Sequence, residues 1–273
     1  MTGTADLVRD LRSLGLCAGD LVMVHASLKA VGPVRGGAAA LVDALIASVA
    51  PAGTIMAYVS WDRSPYEETL NGARLSCGER HSWPAFDPAT AGTFRGFGLL
   101  NAYLCQVPGA VRSGHPDASM VAIGPTARAV IGEHRLGQAF GLGSPLERLV
   151  AMRGRVLSLG APPDACTVLH YAEAIADIPG KRRVAYEMPI LDESGAKVWR
   201  RAEDFDSNGI LDCFARPGAM DAVETIVRQY IAEGRGRAGP VGRAVGRLYE
   251  AQELVAYGTR WLEANFGSGS ARP

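Results

Sequence analysis

The apolar positions of the chain alternate between a helical and an extended rhythm. From Ala5 to Leu14 the residues Leu7, Val8, Leu11 and Leu14 recur at helical spacing, and Gly15 with the Ala18-Gly19-Asp20 turn ends the run. Leu21–Val24 reads as a buried strand, Gly37–Val49 as a helix stopped by Pro51-Ala52-Gly53, and Thr54–Val59 as a second buried strand. Strand, helix, strand with short links predicts a parallel pair joined by a right-handed crossover. Loops at the strand C-terminal ends are then site candidates, and His25-Ala26-Ser27-Leu28-Lys29 and Ser60-Trp61-Asp62-Arg63 occupy those places.

The alternation continues. Helices are expected over Thr93–Leu104, Thr126–Glu133, Ser144–Met152, Cys166–Ala176, Ala219–Ala232 and most of Val241–Phe266, and strands over Ala118–Ile123 and Arg155–Leu159. Arg183–Leu191 and Lys197–Arg201 flank Asp192-Glu193-Ser194-Gly195 and read as an antiparallel hairpin. The fold class is therefore α/β, a central mixed β-sheet flanked by helices with an added hairpin. One catalytic domain is expected over 1–266, with 60–98 as a substrate-covering subregion and 267–273 as a disordered tail. Within the subregion, Ser64–Ala91 is long, proline-containing and irregular, as functional loops often are.

Charge narrows the function. The 273 residues carry 28 basic and 28 acidic side chains, so no chain-wide field attracts nucleic acid or anionic lipid. The scattered cysteines Cys17, Cys77, Cys105, Cys166 and Cys213 form no metal-ligand or disulfide pattern and fit a reducing cytoplasm. Neither a signal peptide nor a membrane span is expected.

Several constellations carry chemistry. Thr167, His170 and Glu173 lie three apart, bringing a hydroxyl, an imidazole and a carboxylate to one helical face: a base, its orienter and an oxyanion donor. Spacing alone leaves open a capping Thr, a packed His and a solvated Glu. Ser27-Leu28-Lys29-Ala30-Val31-Gly32 offers N–H groups, a hydroxyl and an ammonium to a pyrophosphate, or is a plain connecting turn. Arg112, Ser113 and His115, read as an exposed loop, suit a phosphate, or His115 is an ordinary loop histidine. Asp62, Tyr66, Glu67, Asp87 and Asp206 set carboxylates among aromatics in the manner of a polycationic-sugar site, or are solvated surface. His25 reads as structural. Gln138–Gly143 matches a loose Q-x-x-G-x-G pattern without the preceding strand that pattern requires, and Cys166 reads as a packed small residue rather than a thiol nucleophile.

Together His25–Lys29, Tyr58–Gly98, Ser113–Met120 and Leu169–Glu173 resemble the aminoglycoside 3-N-acetyltransferases. Ser60–Arg74 and Asp206–Phe214 are similar to the branch acting on gentamicin-type antibiotics. The resemblance implies the antibiotic N-acetyltransferase fold, distinct from the common N-acetyltransferase superfamily, and direct transfer from acetyl-CoA to the deoxystreptamine 3-amine without a metal. It implies His170 as base, Glu173 as its supporting acid, Thr167 as the oxyanion-side hydroxyl, and Ser27–Gly32 and Ser113–His115 as coenzyme A loops. The implied partners are an aminoglycoside and acetyl-CoA, with the chain a monomer or homodimer. Leu75–Trp83 and the Gly/Arg-rich Gly234–Arg247 depart from the family pattern, as do Gly114 and Cys166.

Overall fold

In the computed structural model, which describes residues 1–268, seven strands form one sheet: β1 (Leu21–Ala26), β2 (Thr54–Tyr58), β3 (Val111–Arg112), β4 (Met120–Ile123), β5 (Arg155–Leu159), and later β8 (Arg237–Val241) and β9 (Ala244–Glu250). Between them in sequence, β6 (Arg183–Leu191) and β7 (Lys197–Phe205) make a separate antiparallel ribbon. The sheet order is β3-β4-β2-β1-β5-β9-β8, with β2, β1 and β5 parallel and every outer pairing antiparallel. This is the mixed sheet with an added hairpin.

The central strands are predominantly apolar because both faces are covered. Met23, Met56 and Val156 point to one core, with helices Pro145–Ala151, Leu169–Ile175, Ala222–Ala232 and Ala251–Phe266. Val22, Val24, Ile55, Ala57 and Leu157 point to the other, with helices Thr4–Leu14, Gly37–Val49 and Leu100–Cys105. His25 follows the parity of Met23 and lies directly opposite Ser158 of β5, so the first face is the one that opens into a cleft at the strand ends.

Two helix expectations fail for identifiable reasons. Val241–Glu250 is not helical: Gly242, with φ 59°, makes a two-residue turn between β8 and β9, and Leu248 and Tyr249 enter opposite cores, so β9 takes a place beside β5. A side chain at Gly246 would meet Leu14 and Val241, which is why this strand carries glycine there. Thr93–Leu104 breaks into a 3-10 turn, Arg95–Phe97, and the helix Leu100–Cys105, separated by Gly98 at φ 95°. Elsewhere bounds move by a few residues, with Ser144 and Asp221 capping their helices through the N–H groups of Glu147 and Glu224.

The segment Ser64–Ala91 contains the short helices Tyr66–Thr69 and Cys77–Ser82 and is fastened to the ribbon. Arg80 pairs with Glu187 at 2.7 Å and stacks over Trp199, while Lys197 donates to the carbonyls of Arg80, His81 and Trp83. From residue 269 the expected tail lies outside the described residues. Among the described residues no helix is long and apolar enough to cross a membrane.

Candidate active site

A cleft of about 900 Å³ lies over the C-terminal ends of β1 and β2, between their loops, the Tyr66–Thr69 segment and the start of helix Leu169–Ile175. His170 is the second residue of that helix. One turn on, Glu173 is 5% exposed and its Oε2 accepts from His170 Nδ1 at 2.6 Å. An ionised carboxylate only accepts, so Nδ1 carries the proton and Nε2 keeps its lone pair. Burial, the largest single influence on His170, favours the neutral ring. The adjacent Glu173 charge, its hydrogen bond and the more distant Asp221 outweigh burial and hold the pKa above its ordinary 6.5. Lys181 secures the end of the helix by donating to the carbonyls of Glu173, Ala174 and Ala176.

Thr167 does not share the helical face of His170 and Glu173, because the helix starts at Leu169 and Thr167 lies in the turn before it. It still lines the cleft with His170, its hydroxyl donating to the Ala165 carbonyl at 3.3 Å. Ser27 also lines the cleft and caps the short turn Leu28–Val31, its Oγ accepting from the Ala30 N–H at 3.2 Å. Gly32 closes the turn at φ 82°, Val31 is buried and Lys29 is exposed.

Arg112, Ser113 and His115 are not an exposed loop. Arg112 spends its guanidinium on the carbonyls of Ala91, Gly92 and Ser60 and on Ser119 Oγ. Ser113 and His115 are each 1% exposed. His115 Nδ1 accepts the Ala118 N–H, which puts the proton on Nε2, facing Tyr186 Oη at 3.0 Å; Tyr186 in turn donates to Asp204. Ser113 joins His134 at 3.0 Å, and His134 Nε2 donates to the carbonyls of Gln138 and Ala139. Burial together with the neighbouring His115 pushes His134 down to about 3, so it stays neutral. Asp204 also accepts the Ala139 N–H at 3.0 Å. These buried bonds anchor the 137–143 loop, whose Phe140 ring packs 5.0 Å from His170. The loop singled out as a chance glycine pattern thus forms part of the wall around His170.

Asp62, Tyr66 and Glu67 line the cleft, and Asp206 lines an adjoining chamber of about 270 Å³ that also borders His170 and Glu173. Asp87 does not line it: its carboxylate is taken by the Ala89 N–H and the Thr90 hydroxyl. Glu68, Asp117, Asp164 and Asp221 complete the cleft lining and were not singled out from sequence. Glu68 and Asp117 fall in stretches that had drawn attention as wholes, whereas Asp164 and Asp221 lie far along the chain from them. Burial raises the Asp117 and Asp221 carboxyl pKa values. Among the described residues the lining thus has six carboxyl side chains and no Lys or Arg. Ser60 stands at φ 48° where β2 runs into the cleft, an uncommon backbone state for a non-glycine residue. Cys166 is packed in the core, where burial pushes its thiol up to about 12, and Cys213 is not among the cleft residues.

The sequence model of the family described as aminoglycoside 3-N-acetyltransferase matches residues 23–263. The chain belongs to that family. It is accordingly an acyltransferase. It is 62% identical over 268 residues to an aminoglycoside N(3)-acetyltransferase III from Serratia marcescens, covering 98% of this chain and 100% of the relative. The solved structure of AAC-VIa bound to sisomicin superposes with a TM-score of 0.95 at 51% identity, covering 97% of this chain and 99% of that one. The binary complex of AAC-IIIb with CoASH superposes at 0.91 and 39% identity, covering 99% of each chain. The family's fold is the mixed sheet and ribbon described above.

Proposed function

We propose that the protein transfers the acetyl group of acetyl-CoA directly to the 3-amine of the 2-deoxystreptamine ring of aminoglycosides, with His170 as general base. The observation that carries the reading is the six-carboxylate lining, free of Lys and Arg, around an imidazole held by a buried Glu173. Polycations with several ammonium groups are the chemistry that such a lining attracts. The CoASH complex of AAC-IIIb supports coenzyme A as the donor's carrier, and the coenzyme is assigned to the Ser27–Gly32 loop, whose Ser27 lines the cleft. Ser113 and His115 are reassigned to holding the Phe140 loop, because their polar atoms are already engaged inside the protein.

The substrate ammonium loses one proton to solvent. As the amine nitrogen attacks the thioester carbon, His170 Nε2 takes a second proton from nitrogen. The C–N bond forms, the C–S bond breaks, and the proton on His170 passes to sulfur, releasing coenzyme A as the thiol. Thr167 serves the oxyanion by turning its hydroxyl from Ala165 toward the reacting carbonyl. Acetylation deletes a positive charge that aminoglycosides use on RNA, so the reaction confers resistance. The proposed compartment is the cytoplasm.

The test is incubation with acetyl-CoA and gentamicin, tobramycin, sisomicin and apramycin, following thiol release and locating the acetyl group by NMR. Aminoglycoside-dependent release with acetyl at the 3-amine is expected; no turnover with any of them by a folded protein would sink the assignment. An acetylated enzyme after acetyl-CoA alone would replace direct transfer with a ping-pong route.

A further inference from the structure

The residues of β9 that share the cleft's face of the sheet run outward from the core as Tyr249, Arg247 and Val245, and the same parity continues to Arg243 in the β8–β9 turn. Arg247 is the register partner of Ser158, which is in turn the partner of His25. This line of residues ends against the loop that follows β1. The Arg243 N–H donates to the Val31 carbonyl at 3.0 Å. The Arg243 side chain covers Gly32 so closely that a Cβ there would lie 2.7 Å from its Cδ. Gly160, bonded to the Val245 carbonyl, likewise abuts Ala30.

Arg243 and Lys29 are exposed, Arg247 is half-buried, and among the described residues none of the three has an ion pair. Arg155, by contrast, is neutralised by Asp20 and Glu250, and Arg112 and Arg148 spend their guanidinium groups on backbone carbonyls. Ser27, the inner end of the loop, faces the cleft, whereas Arg243 sits at its outer end on Val31 and Gly32. A ligand whose diphosphate rests on the loop and whose thioester reaches His170 has its nucleotide end at this outer rim. A phosphomonoester there is close to dianionic at neutral pH, and guanidinium forks match its oxygens.

We propose that Arg243 and Arg247 form a subsite for the ribose 3′-phosphate of coenzyme A and make the protein select it over 3′-dephospho-coenzyme A. The proposal rests on the coenzyme reading above. It also gives a role to the Gly/Arg-rich stretch that departs from the family pattern. The two ligands differ only in the 3′-phosphate, so binding of the dephospho form reports on all other coenzyme contacts, those of the Ser27–Gly32 loop included.

Calorimetry with coenzyme A and its 3′-dephospho form separates the two readings. The wild-type protein is expected to prefer coenzyme A by about tenfold or more, as charge-assisted hydrogen bonds to phosphate allow. In the R243Q/R247Q variant the preference collapses while affinity for the dephospho form is kept, and R243K/R247K restores part of it. A wild-type protein indifferent to the 3′-phosphate, a double Gln variant that keeps the preference, or equal weakening of both ligands each overturns the subsite. Failure of the wild-type protein to bind either ligand overturns the coenzyme reading itself.

Discussion

Two regions on one face of the sheet carry opposite charge. The cleft around His170 has carboxylates from the loop after β2, from the Tyr66–Thr69 segment and from the approaches to two helices, with no Lys or Arg among its described lining residues. A strand or two away, the loop after β1 carries Lys29 and is covered by Arg243, and Arg247 lies on β9 opposite Ser158 of β5. The chain's net charge of zero conceals this division. Recognition of a polycation and of a polyanion by one protein follows from local segregation, with His170 on the boundary where the two would react.

Removing the proposed base should have the largest effect. His170→Ala should lower kcat by about 10²–10⁴-fold with both ligands still bound by calorimetry. On the acidic side, Asp62→Asn with Glu67→Gln should raise KM for aminoglycosides roughly tenfold and flatten its salt dependence, leaving affinity for coenzyme A in place. The wall behind His170 is a stability question. Asp204→Asn should cost about 1–3 kcal/mol in denaturant unfolding, because it weakens the bonds to Tyr186 and Ala139. Burial favours the neutral Asp204 carboxyl, but His115, Tyr186 and Ala139 hold its pKa below 3.8, so its contribution is present above that pH and fades on acidification. The smallest effect belongs to Asp87→Asn: its carboxylate bonds only within its own turn, so KM should stay put and stability should change by about 0.5 kcal/mol or less.

Local patterns carried the fold where they were unambiguous. Gly37–Val49 is a helix at the expected bounds, and β1 and β2 pair in parallel, because continuous apolar runs with clean stops permit few alternatives. β9 was missed because its Ala-Val-Gly-Arg-Leu-Tyr string runs straight into a true helix, and only its pairing with β5 makes it a strand. In the site, His170 and Glu173 meet because they are one helical turn apart. Asp117, Asp164 and Asp221 converge on them from distant points that no local spacing encodes. His115 misled for the opposite reason: a Ser-Gly-His-Pro loop reads as surface, but its partner Tyr186 comes from the ribbon, 71 positions later.

In the proposed mechanism His170 acts as a base whose affinity for protons is raised by Glu173. The direct measurement is the pH dependence of kcat/KM for sisomicin in the wild-type protein and in Glu173→Gln. A base works when neutral, so the rate should rise with pH through a wild-type pKa above 6.5. With the Glu173 charge removed, burial is opposed by the more distant Asp221, and this limb should move to lower pH as the plateau falls. Superimposable profiles would contradict the account, because the ionisation that controls the rate would then belong to a group other than the His170–Glu173 pair.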